Sequence, residues 1–148
     1  MPTYTGLQSG RAIHASDDGG NAWLDSNKIT PLIALVAADV ITVLQIPSGT
    51  RLETLRFRGG DFDTGATLAF NLGYRTRLVG GTATNLTFFG AGLTTLQAAT
   101  TAWQELVFDS IKFDEPVDIV LTVTASATGV AGTPSFYSQG MGVVVGIT

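Results

Sequence analysis

The sequence predicts an all-β protein, an antiparallel β-sandwich of jelly-roll type with an irregular N-terminal arm and at most one short helix. Three observations predict it. Apolar and polar residues alternate with period two through several segments, as in strands with one buried face. Clusters of Gly, Pro, Ser and Asp separate these segments at short intervals, which is turn chemistry. Helical spacing occurs in one place, residues 93–99, where Leu93, Leu96 and Gln97 fit one or two turns that only packing could hold. No repeat of fixed period is visible, which argues against solenoids and propellers.

Residues 1–28 read as an extended arm. They hold Gly6, Gly10, Gly19 and Gly20, the pair Asp17-Asp18, and scattered apolar residues without a period. Trp23 lies in this stretch: either it packs back onto the domain, the favoured reading, or it anchors the arm to a neighbour. Residues 29–148 form the expected sandwich domain. Residues 32–36 suggest a short strand and 40–46 a firmer one, apolar on both faces. Pro47-Ser48-Gly49 turns the chain.

Residues 50–75 carry the clearest pattern and read as a hairpin. Leu52, Thr54 and Arg56 alternate with Glu53, Leu55 and Phe57; later Leu68, Phe70, Leu72 and Tyr74 share one side. Between them lies Gly59-Gly60-Asp61-Phe62-Asp63-Thr64-Gly65. Shorter runs follow at 86–89, 103–108 and 111–113. Residues 117–124 make the cleanest strand, and 136–147 the last one, with glycines that hint at a bulge or close backbone approach. The total is about eight strands.

The composition bounds the chemistry. The chain has 148 residues, enough for one domain burying about two thirds of its unfolded surface. Only 14% of residues are charged, against a usual ~25%. Such a neutral surface suits either an ordinary Thr/Ser-coated domain or one partly covered by partners. Net charge is −4, which argues against non-specific nucleic-acid binding. The one basic cluster, Arg51, Arg56, Arg58, Arg75 and Arg77, reads either as a solvated strand face or as a contact for an acidic protein. There is no cysteine, so disulfides, thiolate catalysis and zinc–thiolate sites are excluded. The N-terminus has no basic and apolar leader pattern, and the longest apolar run, 31–38, is far short of the ~20 residues of a membrane helix. A product made in the cytoplasm, with no membrane partner, is the expectation.

No catalytic signature, cofactor motif or metal-ligand set stands out. His14 is the single histidine, so a Ser-His-Asp triad would have to use it, and a two-histidine metal site is impossible within one chain. Asp61 and Asp63 share one side of an extended chain, a start for calcium, but Thr64 is followed directly by Gly65 and the calcium-loop register fails. Nothing selects a carboxylate pair for glycoside hydrolysis. The glycines match neither phosphate-binding nor dinucleotide loops. The expectation is a protein that is not an enzyme.

Three turns carry a family resemblance. They are Ile46 to Gly49 before a strand, Asp63-Thr64-Gly65 before the strand ending in Gly73-Tyr74, and the late loop from Val123 to Thr133. Over residues 39–133 the chain resembles the capsid decoration (cement) and head-accessory proteins of tailed bacteriophages. The resemblance implies a jelly-roll-like protein on the outer surface of the phage head. It would bind the major capsid protein and neighbouring copies of itself, as a dimer or trimer, and reinforce the shell. Tyr4, Trp23, Arg56 and Arg58 are the expected partner contacts. The second expectation is a receptor- or carbohydrate-binding module of a tail or head fibre, with surface aromatics grouped among Trp103, Phe136 and Tyr137.

Overall fold

A computed structural model describes residues 3–5, 21–31 and 33–145. Among the described residues ten strands form: β1 (Thr3–Thr5), β2 (Asn21–Ile29), β3 (Val40–Ile46), β4 (Thr50–Gly59), β5 (Ala69–Thr76), β6 (Asn85–Leu93), β7 (Thr100–Glu105), β8 (Ile111–Phe113), β9 (Val117–Ala125) and β10 (Phe136–Val144). They build two sheets, ordered β1-β3-β9-β5-β6 and β2-β10-β4-β7. All pairings are antiparallel except β1 on β3, which is parallel. β7 pairs with the far half of β4 and β8 with its near half, so the two act as one interrupted strand. Most consecutive strands therefore change sheet, and the winding is that of a jelly roll.

The period-two residues fill the space between the sheets. Phe57 of β4 stacks on Phe136 of β10 at 5.5 Å and meets Phe70 of β5 edge-on at 6.2 Å. β9 is buried along nearly its whole length, Val117, Ile119, Val120, Leu121 and Val123 all being covered. It lies between β3 and β5, the position that an apolar run on both faces demands.

Two bulges tune this core. In β4 the register against β10 slips between Met141 and Gly142, leaving Glu53 as the extra residue. Side-chain parity flips there, so Leu52 on one side of the bulge and Leu55 and Phe57 on the other all point inward. In β3 the slip falls at Val43, whose carbonyl leaves the ladder. That carbonyl accepts instead from Asn27 Nδ2 at 3.0 Å and Ser138 Oγ at 2.7 Å, so two buried polar side chains of the opposite sheet are matched.

Several expectations change. The sandwich begins before residue 29: residues 21–28 belong to β2, paired along its length with β10. The reason is burial, since Trp23, Asp25, Asn27 and Ile29 alternate inward, a period hidden by two polar members. Residues 6–20, with His14, Asp17 and Asp18, lie outside the described residues, as does Leu32. Residues 33–36 are not a strand; Val36 N and Ala127 N bond instead to Asp39 Oδ2 and the Leu35 carbonyl. The pattern at 50–75 is not a hairpin, because β4 and β5 sit in opposite sheets and meet through their buried faces. No helix forms at 93–99: Leu93 ends β6, Gln97 N closes a turn on the Thr94 carbonyl, and Leu96 is buried against Gly59.

Candidate interaction face

The outer face of sheet β2-β10-β4-β7 is assembled by register. Tyr137 on β10 stands opposite Lys28 on β2 and Arg58 on β4, and Gln139 stands opposite Ser26 and Arg56. β7 adds Glu105 opposite Arg56, and brings Trp103 beside both arginines. The result is a ladder of alternating cations and rings. Lys28 Nζ lies 5.6 Å from the Tyr137 ring centre, and the Arg58 guanidinium 4.8 Å from Tyr137 and 5.0 Å from Trp103. Arg56 lies 4.8 Å from Trp103 and donates from Nε to Gln139 Oε1 at 2.6 Å. Each contact belongs to a class that contributes about 0.5–1 kcal/mol when exposed. Their joint effect is to hold long, flexible cations in fixed positions.

A shallow hollow of about 430 Å³ opens beside the ladder, lined by Ser26, Lys28, Trp103, Tyr137 and Gln139. A second, of about 270 Å³, shares Tyr137 and is lined by Arg58 and Thr100. Trp103 is 37% exposed, so the face is open to a partner.

The five clustered arginines thus divide. Arg56 and Arg58 stand on this face. Arg51 pairs with Glu53. Arg75 stands on β5 of the other sheet and Arg77 just past its end, 3.6 and 3.8 Å from the Asp118 carboxylate. Burial pushes the Asp118 carboxyl above its ordinary value, and the two arginines offset that only in part.

Of the other expected contacts, Tyr4 lies in β1, opposite Ile41 at the edge of the first sheet. Trp23 is 1% exposed, under the sheet and against Gly140. It is used by the domain's own core and is not available to a partner, which corrects its reading as a docking anchor. Phe136 is likewise buried, while Trp103 and Tyr137 do share a face. Lys28 had no signal in sequence, because its neighbours across the sheet are set by a β2–β10 register that no local pattern encodes.

Asp61 and Asp63 have a structural task. The Asp63 carboxylate accepts from the backbone of Gly65 (3.0 Å), Leu68 (2.6 Å), Thr128 (2.8 Å) and Thr67, and from Thr67 Oγ1 at 3.1 Å. One side chain thereby ties the β4–β5 loop to the β9–β10 loop. The two loops are those holding the Asp-Thr-Gly turn and the late small-residue loop. Burial favours the protonated acid, but the four backbone donors outweigh it and hold the carboxyl well below its ordinary value near 3.8. With its lone pairs taken by donors, Asp63 is poorly placed to hold a cation. Among the described residues no group of three or more His, Cys, Asp or Glu could hold a metal ion.

The pH consequence has a definite sign. A carboxyl whose folded pKa is depressed binds fewer protons folded than unfolded, so its contribution is full above the ordinary value and is lost as pH falls below it. Asp63→Asn is expected to lower Tm at pH 7 and to flatten the loss of Tm between pH 5 and pH 2 relative to the parent protein. Equal acid slopes for the two proteins would contradict this. Glu115 acts similarly at the β5–β6 loop. It bonds to the Thr76 hydroxyl and accepts from Ala83 N (3.1 Å) and Thr82 N, which depress its pKa.

No protein-family model and no curated protein matches the sequence. Three solved structures match in fold. A chain of the capsid of Ralstonia phage GP4 superposes with a TM-score of 0.72 at 22% identity, covering 99% of this chain and 100% of that one. A chain of the cyanophage Pam1 capsid asymmetric unit gives 0.67 at 19% identity, covering 93% and 94%. A chain of the acidic stable capsid structure of Helicobacter pylori bacteriophage KHP30 gives 0.58 at 10% identity, covering 93% and 95%. The chain therefore has, over nearly its whole length, the jelly-roll sandwich fold found in chains of these phage capsid structures.

Proposed function

We propose that the protein is a structural component of a phage virion, a decoration or cement protein. On this reading it binds the outer surface of the head and ties major capsid subunits together. The observation that carries this reading is the whole-chain likeness to chains within three capsid structures, with neither side leaving a large unmatched domain. The low charge content and the cation–aromatic face support it, because a docked protein needs one committed face and tolerates a neutral remainder. Many copies on a symmetric shell would turn modest single contacts into firm attachment. Arg56 and Arg58 are the proposed contacts to an acidic capsid surface, and Tyr4 remains proposed at the β1 edge. Self-association as a dimer or trimer belongs to the same proposal. So does its place in the virion after synthesis in the bacterial cytoplasm, and no chemical step is assigned to it.

Purified protein mixed with phage heads that lack it tests this reading. Co-sedimentation saturating at a fixed number of copies per head, with heads that resist heating better, is the expected result. No saturable binding to expanded or unexpanded heads would overturn it.

The carbohydrate-binding alternative rests on Trp103 and Tyr137 sharing a face. Sugar stacking needs an open ring face, whereas Arg56 and Arg58 both lie over the Trp103 ring. This disfavours the alternative. Retention of the protein on a glycan array, with no binding to heads, would favour it.

A further inference from the structure

We infer that the ladder is a seat for an extended, carboxylate-bearing polypeptide segment, held by Lys28, Arg56 and Arg58. Three observations carry it. First, the cations have no ion-pair partner. Among the described residues Arg51, Arg75, Arg77 and Lys112 each have a carboxylate within ion-pair distance, and Lys28, Arg56 and Arg58 do not. Glu105 stands across from Arg56 yet makes no ion pair with it. Three cations face this one carboxylate, so on a chain of net charge −4 the ladder is a local excess of positive charge.

Second, Arg58 Nε is buried without a hydrogen-bond partner, although the guanidinium is held between Trp103 and Tyr137. A buried donor left unmatched is unfavourable, because it has lost its water partner and gained none. An arriving acceptor relieves this, and a carboxylate suits the guanidinium fork. Third, cations lie over both rings, so the strongest binding groups beside those rings are the N–H donors of Lys28, Arg56 and Arg58. That selects an anion over a neutral sugar.

Geometry favours a polypeptide. Lys28 and Arg58 are two strands apart across β10, about 10 Å at ordinary strand spacing. Carboxylates two or three residues apart on an extended chain span about that distance. The segment would cross the strands, with one carboxylate at Lys28 and another at Arg58 and Arg56. The hydroxyl-lined hollows at Ser26 and Thr100 flank this path. The inference deepens the docking role by naming the chemistry of the partner surface, but it can be tested without any phage head.

Fluorescent poly-L-glutamate serves as the probe, with polygalacturonate as an anionic glycan control. The parent protein is expected to bind poly-L-glutamate more tightly than polygalacturonate. Arg58→Gln and Lys28→Gln are each expected to weaken it about tenfold, the scale of losing one central interface cation. Arg58→Lys should restore only part, since the bidentate fork is lost. Lys112→Gln makes the same charge change away from the ladder and should alter binding less than about twofold. Unchanged Tm in the Gln variants separates lost binding from lost folding. Equal weakening by Lys112→Gln and Arg58→Gln reduces the effect to net charge and overturns the proposal, as does no binding at all. Tighter polygalacturonate binding, lost in the same variants, assigns the face to an acidic glycan and overturns the polypeptide assignment. Head binding that survives Arg58→Gln while poly-L-glutamate binding is lost leaves the docking role intact and overturns the ladder as its seat.

Discussion

Trp23→Ala is expected to destabilise the isolated protein by about 3–5 kcal/mol, the range for removing a fully buried large aromatic. Trp23 is 1% exposed on β2 and lies over Gly140 and beside Leu44. An added Cβ at Gly140 would stand 3.0 Å from the Trp23 ring and 3.1 Å from Leu44, so the glycine makes the room the indole occupies. Truncation to alanine leaves that room empty in a close-packed interior. Urea denaturation at neutral pH measures the loss directly. A change below about 1 kcal/mol would mean that β2 contributes little to the fold and that the sandwich starts at residue 29 after all.

Gly142→Ala is expected to be destabilising by about 2–3 kcal/mol, at the upper end of overpacking effects. An ideal Cβ there would lie 2.0 Å from the Arg51 carbonyl oxygen, a backbone atom that no rotamer change can move. The clash falls at the β4 bulge, where the register slips between Met141 and Gly142. Relieving it means separating β10 from β4 or undoing the bulge. Undoing the bulge would turn Leu52 outward relative to Leu55 and Phe57. The loss should therefore appear both in urea midpoint and in faster amide exchange along β4 and β10. A neutral Gly142→Ala would show that the bulge is not constrained there.

Sequence patterning was sufficient for the all-β sandwich because each core strand carries its own period. Val117 to Val123 read correctly without any knowledge of its partners, and the last strand was placed correctly at its start, although it ends at Val144 and buries Phe136, Ser138, Gly140 and Gly142 rather than the Met141 side. It failed where the deciding fact lies on another strand. β2 was obscured because Asp25 and Asn27 occupy inward positions, and Asn27 is matched by a carbonyl on β3. β4 and β5 looked like a hairpin because adjacency in sequence does not say which sheet a strand joins. Helical spacing at Leu93, Leu96 and Gln97 was coincidental, since Leu96 is placed by the core and the stretch is too short to nucleate.

The candidate face shows the same division. Arg56 and Arg58 were visible as alternate residues of one strand. Their grouping with Lys28, Tyr137 and Trp103 depends on three cross-strand registers and could not be read locally. Asp63 illustrates the converse. Its turn was legible, but its role as the tie between two loops required Thr128, 65 residues away.

The docking account stands or falls on where the ladder points in an assembled particle. A cryo-EM reconstruction of a virion carrying this chain tests that most directly. The account predicts sandwich density on the outer surface of the head. It further predicts the β2-β10-β4-β7 face against a neighbouring protein, with density continuous from Arg58 and Lys28 into an acidic segment. Sandwich density on the head with this face turned to solvent, or no such density on the head at all, would contradict it.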